Sequence, residues 1–537
     1  MIRRKPLAIA VALAATFALA TAGCSSSDDS GDSTSSSGTT QSADGGTTTD
    51  GGTTTDGGTT TSGGTVILGA IAYPTSLGPN GYEWGNRAPF FQAVMDTLLM
   101  AGTDGSVQPL LATAWEYNDD QTELTLTIAE GIKFSDGEVL DAQAVVTSLD
   151  TFKASTSPDT GTYMARYESS TAPDATHVVI KLTEPDPAFL NYLTRTAGLV
   201  ASPASFDNED LETHPIGSGP YIFDPDASVI GTSYVYTKNP DYWKPELQHY
   251  DKLIINVFDE TTAAINAIKA GEANVVKLSG NDNLAEVEGA GWTINKNELD
   301  FQGLLLLDRG GTMNPALGDV RVRQALNYAF DRDALLASLG AGYGTVTTQV
   351  FPTSSVAYDD SLDSYYTYDP EKAKALLAEA GYADGLTLDM PSSTMLGAAT
   401  FTLLGQYLGD IGITVNWTDP GNNYIADMLA PKFAAAFMAL EQNPDWQLVN
   451  FMIAPSALFN PFRYEDPQVD EWINDMQYGD QAAQDEAAKN INRYIVEQAW
   501  FAPLYRVWGV VASDANTSVT MLPSNAYPNI YDIKPAS

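Results

Sequence analysis

Residues 25–64 are almost wholly Ser, Thr, Gly and Asp, and a six-residue unit, Asp-Gly-Gly-Thr-Thr-Thr, starts at Asp44, Asp50 and Asp56. Such a stretch cannot bury enough apolar surface to offset the entropy of ordering it. It is expected to be a disordered tether, which confines the folded body to residue 65 onward. Three copies without an apolar residue are too few to build a calcium-binding solenoid. A Gly-rich coil of this length averages roughly 30–40 Å end to end, enough to hold a body clear of a surface and let it swivel.

The preceding residues say what that surface is. Arg3, Arg4 and Lys5 lead into an apolar run from Leu7 to Ala22 and then Thr21-Ala22-Gly23-Cys24. A basic start, a short apolar core and small residues before a cut describe a secretory signal over residues 1–23. The run is too short to span a bilayer comfortably, since spanning takes about 20 residues. Cys24 is the only cysteine. Small residues directly before it resemble the lipobox of bacterial lipoproteins, which implies lipidation at Cys24, a tether over 24–64 and an extracytoplasmic body anchored to the cell membrane by lipid. An ordinary signal peptide that happens to contain a cysteine is the alternative. The Ser25-Ser26-Ser27 start of the tether favours the lipoprotein.

The chain has 537 residues, enough for two or three domains. Its hydrophobic fraction of 44% is globular, and no second apolar stretch of membrane length follows, so the body reads as soluble. Removing residues 1–23 strips three positive charges and no negative one, taking the formal charge from −41 to −44. That excludes a nucleic-acid partner. Such acidity attracts cationic ligands, but the charges are spread along the chain and read first as a solvated surface. With Cys24 taken by lipid, no disulfide is available, although the compartment would allow one.

Strand and helix patterns alternate along the body. Thr65–Ile71, Glu123–Ile128, His177–Leu182, Tyr234–Tyr236, Lys252–Val257, Phe301–Leu307, Leu386–Met390, Ile413–Trp417 and Pro503–Val511 read as strands. Helices are expected over Pro89–Met100, Asp141–Leu149, Pro187–Leu193, Thr261–Ala270, Val320–Phe330, Asp331–Leu339, Asp369–Gly381, Thr400–Leu408, Val469–Met476 and Ala482–Gln498. Pro89 would sit in a first turn, Asp259 or Thr261 would cap the fourth helix, and Gly271 would end it. This alternation defines an α/β fold.

Enzyme motifs are missing. There is no Gly-x-Ser-x-Gly elbow, Walker loop, His-Glu-x-x-His or cysteine pair. His177, His214 and His249 stand far apart with no partner at ligand spacing, and surface or capping roles are their default. The 68 acidic residues guarantee chance pairs, so no catalytic dyad can be argued from them. Gly217-Ser218-Gly219-Pro220 lacks the lysine and context of a phosphate loop and reads as a turn before a strand.

Four long signatures occur in order. They are Asp104-Gly105 with Pro109–Glu116 and Gly131–Gly137, then Pro215–Tyr221 with Lys238-Asn-Pro-Asp-Tyr-Trp243, then Asp319–Arg332, then Asp369–Tyr382. Together they resemble the family 5 extracellular solute-binding proteins of ABC importers, the peptide- and nickel-binding group, over about residues 65–537. The resemblance implies a two-lobe periplasmic-binding-protein-like fold with a hinge and an extra domain. Lobe I would take 65–98, 206–298 and 503–537, the extra domain 99–205, and lobe II 299–502. Each motif also has a structural reading: Asp-Gly turns close hairpins, Asn239-Pro240 ends a strand, Asp331 caps a helix, and Arg321 or Arg323 pairs with a carboxylate.

The resemblance also implies where ligand would lie. The loop Leu77–Gly85 follows the first strand and offers Glu83, Trp84 and Gly85, with Trp84 either a stacking platform or a hydrophobic plug. The segment Glu441–Trp446 offers Asn443, Asp445 and Trp446. Asp445 is either the partner of a ligand ammonium, since a buried carboxylate needs one, or a helix cap. The implied function is capture of a small-molecule or peptide ligand, most simply a short peptide, and its delivery to ABC importer permease subunits with their ATPases. No catalytic residue, cofactor or metal is implied. A chelated metal would not need the scattered histidines, and an oligosaccharide would suit Glu441–Asn443 and the tryptophans. A sensor or adhesin using the same fold is the alternative outside transport.

Overall fold

The computed structural model describes residues 63–206 and 213–537. The signal segment, Cys24 and nearly all of the tether lie outside the described residues. The body begins slightly before the expected boundary. Gly63 donates its N–H to the His249 carbonyl at 3.3 Å, and Gly64 donates to the Asp251 carboxylate at 3.0 Å.

A nine-stranded mixed sheet forms the centre. Its order is Ala435–Glu441, Thr293–Leu306, Phe501–Ser513, Val275–Leu278, Thr65–Ala70, Lys252–Val257, Ser233–Lys238 and Tyr221–Phe223, with Gly344–Val346 also paired to Phe501–Ser513. Thr65–Ala70 runs parallel to both of its neighbours. Its Val66, Leu68 and Ala70 are all at most 3% exposed. That alternation is what made the strand legible.

Two long strands hold the halves of this sheet together. Thr293–Leu306 and Phe501–Ser513 run antiparallel from the pair Thr293↔Ser513 to the pair Leu305↔Phe501. Near one end, Val510–Ser513 pairs with Val275–Leu278. Near the other, Asp300–Leu306 pairs with Ala435–Glu441. Between these zones the register shifts from Glu298 to Asp300, leaving a bulge at Leu299. A bulge bends its strand and breaks the ladder locally. The apolar parts of both strands were expected, but the polar front, Thr293–Asp300, carries no strand signal.

A four-stranded antiparallel sheet, ordered Ala112–Tyr117, Glu123–Ile128, His177–Leu182 and Tyr167–Thr171, lies apart from the first. The helix Ala142–Ala154 packs against it and is capped by Asp141, which accepts the Ala144 N–H at 3.0 Å.

The signatures have identifiable work. Asp96 is fully buried and accepts hydrogen bonds from Ser218 at 2.9 Å, Tyr242 at 3.0 Å, Trp243 at 2.8 Å and Tyr531 at 3.0 Å. Both parts of the second signature are thereby tied to one carboxylate. Burial raises the Asp96 pKa and these donors oppose the rise. Gly217 and Gly219 press on Val94, whose carbonyl oxygen would lie 2.3 Å and 2.6 Å from any added Cβ. The run is a close approach leading into Tyr221–Phe223, as the turn reading expects. Arg321 pairs with Asp319 at 2.6 Å. Arg323 clamps carbonyls instead, reaching Leu317 at 2.7 Å and Gln498 at 3.1 Å. His177 meets Asp174, three residues before it, at 2.9 Å, and His249 meets the distant Tyr531 carbonyl at 3.1 Å.

Two expectations fail and one strand was not foreseen. The helix placed at Pro89–Met100 is Trp84–Gln92, with Pro89 inside it, and Leu99–Ala101 is a strand. The cause is Glu83, whose carboxylate accepts the Asn86 N–H at 3.0 Å and starts the helix earlier. The helix Thr261–Ala270 follows Glu260 with no side-chain cap, although Gly271 does end it at φ 67°. The strand Ala435–Glu441 was missed, because Ala, Met, Leu and Glu favour helices in isolation and only its sheet partners overrule them.

Candidate functional site

Two adjoining cavities open where these elements meet. The smaller, about 320 Å³, has Glu83, Asp159, Arg195, Asp300 and Glu441 in its walls. The larger, about 460 Å³, has Asp445, Trp446, Asp104 and Asp485, again with Arg195. Arg195, Ser524 and Asn525 border both, so the two are halves of one cleft.

Each charged group of the smaller cavity arrives on a different element. Glu83 ends the loop before Trp84–Gln92 and is ion-paired with Arg87, one helical turn on. Asp159 occupies the N-cap position of the short helix Thr160–Tyr163 but does not cap it. Its carboxylate accepts the Trp84 N–H at 2.9 Å and the Thr196 hydroxyl at 2.7 Å. Arg195 is 6% exposed and donates to the Tyr163 hydroxyl at 3.2 Å and the Ser524 carbonyl at 3.4 Å. Asp300 follows the bulge, Glu441 ends its strand, and the two are direct cross-strand partners.

Like charges directly opposite on paired strands repel. The Glu441 carboxylate accepts no hydrogen bond and makes no ion pair among the described residues. Burial pushes its carboxyl up to about 7; Arg195 opposes this, while Asp300, Asp159 and Glu83 add to it. Asp159 is raised to about 6, mainly by burial, against its bonds from Thr196 and Trp84. Asp300 is also raised by burial, with Lys277 opposing. Lys277 is itself lowered to about 8 by burial. Burial alone would lower Arg195, but Tyr163, Glu441 and Asp159 outweigh it and raise it.

The larger cavity takes Pro444, Asp445 and Trp446 from one segment and its other walls from several more. Gln442 Oε1, Asn443 Oδ1, Asp445 Oδ1 and Gln447 Oε1 are buried and lack hydrogen-bond partners among the described residues. Buried polar atoms are nearly always paired, and of these four residues only Asp445 borders the larger cavity, where a ligand or water can reach it. Asp445 opens the helix Asp445–Leu448 behind Pro444 and caps nothing, which removes the helix-cap reading. Burial raises it to about 6, with the Ser355 hydroxyl and Val356 N–H opposing and Asp485 assisting.

The other sequence-selected residues fall out unevenly. Glu83 and Gly85 border the smaller cavity, and a Cβ on Gly85 would meet Glu83 Oε1 at 2.7 Å. Trp84 also touches that cavity, but it is only 4% exposed and belongs to the main core, which favours a hydrophobic plug. Trp446 is likewise 4% exposed, with the Arg166 guanidinium 5.5 Å from its ring centre. Asn443 is buried beside the cleft and borders neither cavity, its amide reaching only the Glu441 carbonyl at 3.4 Å.

Sequence reading missed Asp159, Tyr163, Arg195, Asp300, Ser524 and Asn525. Nothing local distinguishes them, because the fold brings them together from four separate stretches. Among the described residues no three His, Cys, Asp or Glu side chains converge to hold a metal ion, and no helix is long and apolar enough to cross a membrane.

Mixed sheets joined by paired strands, with a charged cleft where their ends meet, define a two-lobe binding protein. The comparisons with known proteins agree. The profile of the bacterial extracellular solute-binding proteins, family 5 Middle, matches residues 106–457. The glutathione-binding protein GsiB of Escherichia coli O1:K1 / APEC is 31% identical over 390 residues, covering 68% of this chain and 73% of that one. The chain belongs to the family 5 bacterial extracellular solute-binding proteins.

Solved structures share the fold. NikA from Brucella suis, in complex with Fe(III)-EDTA, aligns with a TM-score of 0.75 and 22% identity over 88% of this chain and 100% of its own. DppA from Helicobacter pylori, in complex with the peptide STSA, aligns with a TM-score of 0.70 and 20% identity over 88% of this chain and 98% of its own.

Proposed function

We propose that the protein captures a short peptide in the cleft formed by the two cavities and hands it to an ABC importer permease without altering it. The observation that carries this reading is Asp445, a carboxylate bordering the larger cavity with one buried oxygen that has no hydrogen-bond partner among the described residues. A ligand ammonium would supply that partner and the counter-charge. The glutathione-binding name of one relative and the peptide in the DppA complex support the same ligand class. Burial of Trp84 and Trp446 against the core leaves few aromatic faces for a sugar to stack on.

In this reading lobe I (65–98, 206–298, 503–537), the extra domain (99–205) and lobe II (299–502) each contribute to the cleft. The strand pair with the Leu299 bulge is the hinge about which the lobes close. Lipid on Cys24 holds the body at the membrane.

A thermal-shift screen of peptides, sugars and metal chelates tests the ligand class, since a ligand at 100 times its Kd stabilises by about 2.7 kcal/mol. A shift with sugars alone would refute the peptide reading. Membrane fractionation of Cys24→Ser tests the anchor, and an unchanged membrane fraction would refute it.

A further inference from the structure

We infer that the captured solute carries two cationic groups, one seated on Asp445 in the larger cavity and the other on Glu441 in the smaller. This deepens the proposed function and rests on the two cavities being the solute cleft.

The charges around the smaller cavity support the second seat. Its carboxylates are Glu83, Asp159, Asp300 and Glu441. The cations acting on them are Arg87, which is bound to Glu83, Lys277, which acts on Asp300, and Arg195, which acts on both Asp159 and Glu441. Four negative groups therefore face three positive ones, and Glu441 is left without an ion pair. Asp300 stands directly across the strand pair from it, so the fold opposes two like charges at the cavity wall. Arg195 cannot serve Glu441 alone, because its guanidinium is also committed to Tyr163 and Ser524. One more cation between the opposed strands and Arg195 balances the wall.

Asp445 is a separate deficit. Among the described residues no cation acts on it, while Asp485 adds to its negative surroundings. The two acceptors lie in cavities that share Arg195, Ser524 and Asn525, so one extended solute can reach both. No three carboxylates of the smaller cavity converge on a metal-binding point among the described residues, and about 320 Å³ suits an alkylammonium or guanidinium group. The upward displacement of the Glu441 carboxyl agrees with a group lacking its counter-charge. A short peptide with a free amino terminus and a lysine or arginine side chain has both cations.

Calorimetry on the full-length chain in detergent tests this with Ala-Ala-Ala, Ala-Lys-Ala, Ala-Glu-Ala and 1,5-diaminopentane. Ala-Lys-Ala should bind at least about tenfold tighter than Ala-Ala-Ala, and Ala-Glu-Ala should bind weakest. Glu441→Gln should erase the lysine advantage, so that Ala-Lys-Ala and Ala-Ala-Ala bind alike. Asp445→Asn should weaken all three tripeptides and preserve their order. Equal binding of the tripeptides, tightest binding of Ala-Glu-Ala, or a lysine advantage that survives Glu441→Gln overturns the inference. Binding of the diamine without any tripeptide supports two cationic seats and overturns the peptide reading. No binding by any of the four overturns both.

Discussion

The two halves of the cleft are made in opposite ways. The larger cavity has its unpaired acceptor on one residue, Asp445, in a segment that is visible in the sequence. The smaller draws five charged groups from five places, and three of them, Asp159, Arg195 and Asp300, are unremarkable until the sheets close. The first is a local device placed on a scaffold. The second exists only through the scaffold, so its electrostatics depend on sheet register. A one-residue slip between Thr293–Leu306 and Ala435–Glu441 would turn Asp300 or Glu441 away from the cavity.

Substitutions should separate these two constructions. The largest effect is expected at Trp84, a wall of the smaller cavity that is also core. Trp84→Ala should lower stability by about 3–5 kcal/mol in denaturant unfolding. A loss below about 1 kcal/mol would return Trp84 to the role of an exposed platform.

Asp445→Asn should act on binding rather than folding. For a peptide with a free amino terminus the expected loss is about 2–5 kcal/mol by calorimetry, because a desolvated charge loses its mate. Acetylating the peptide terminus should produce a similar loss in the unaltered protein. If acetylated and free peptides bind alike, the ammonium is not held at Asp445.

The pH response should set folding against binding. Glu441 sits near 7 and Asp159 and Asp445 near 6, all above their ordinary values. Such groups hold protons more tightly when folded, so their contribution to stability is full below pH 4, and it is lost as pH rises through 6 to 7. The unliganded protein should therefore be more stable at pH 5 than at pH 8 through these groups. His249, held below its ordinary value mainly by burial, pulls the other way below about pH 6.5. Glu441→Gln should flatten the slope, and a peptide with an ammonium should bind more weakly at pH 5 than at pH 8. Stability and affinity falling together on acidification would contradict this assignment.

The smallest effect is expected from deleting residues 25–62 while keeping Gly63 and Gly64. Stability and affinity should change by less than about 0.5 kcal/mol. A larger loss in either would make the cleft depend on something beyond the body.

What the sequence disclosed follows the same division. Asp141, Asp331 and Asp369 cap helices where expected, and Thr65–Ala70 and Glu123–Ile128 alternate as half-buried strands should. These signals are local and need only the next few residues. The strand Ala435–Glu441 and the polar front of Thr293–Leu306 owe their form to distant partners, so propensity misjudged the first and overlooked the second. Asp445 was legible as an acidic residue in a resembling segment. Arg195 was not, since its importance comes from Tyr163, Ser524 and two cavities that meet beside it.

The pairing of Thr293–Leu306 with Phe501–Ser513 also imposes a timetable. Partners such as Leu305 and Phe501 are separated by roughly 200 residues, and contacts that distant incur their closure entropy before they return any stability. Val275–Leu278 has its second neighbour only in Phe501–Ser513, so the central sheet cannot be completed until that late strand has been synthesised. Until then the earlier strands present open edges and an unfinished core, the state in which chains are most prone to aggregate. A polypeptide that must cross a membrane before it folds gains from such a delay, because the last structural piece arrives after most of the chain has already been delivered.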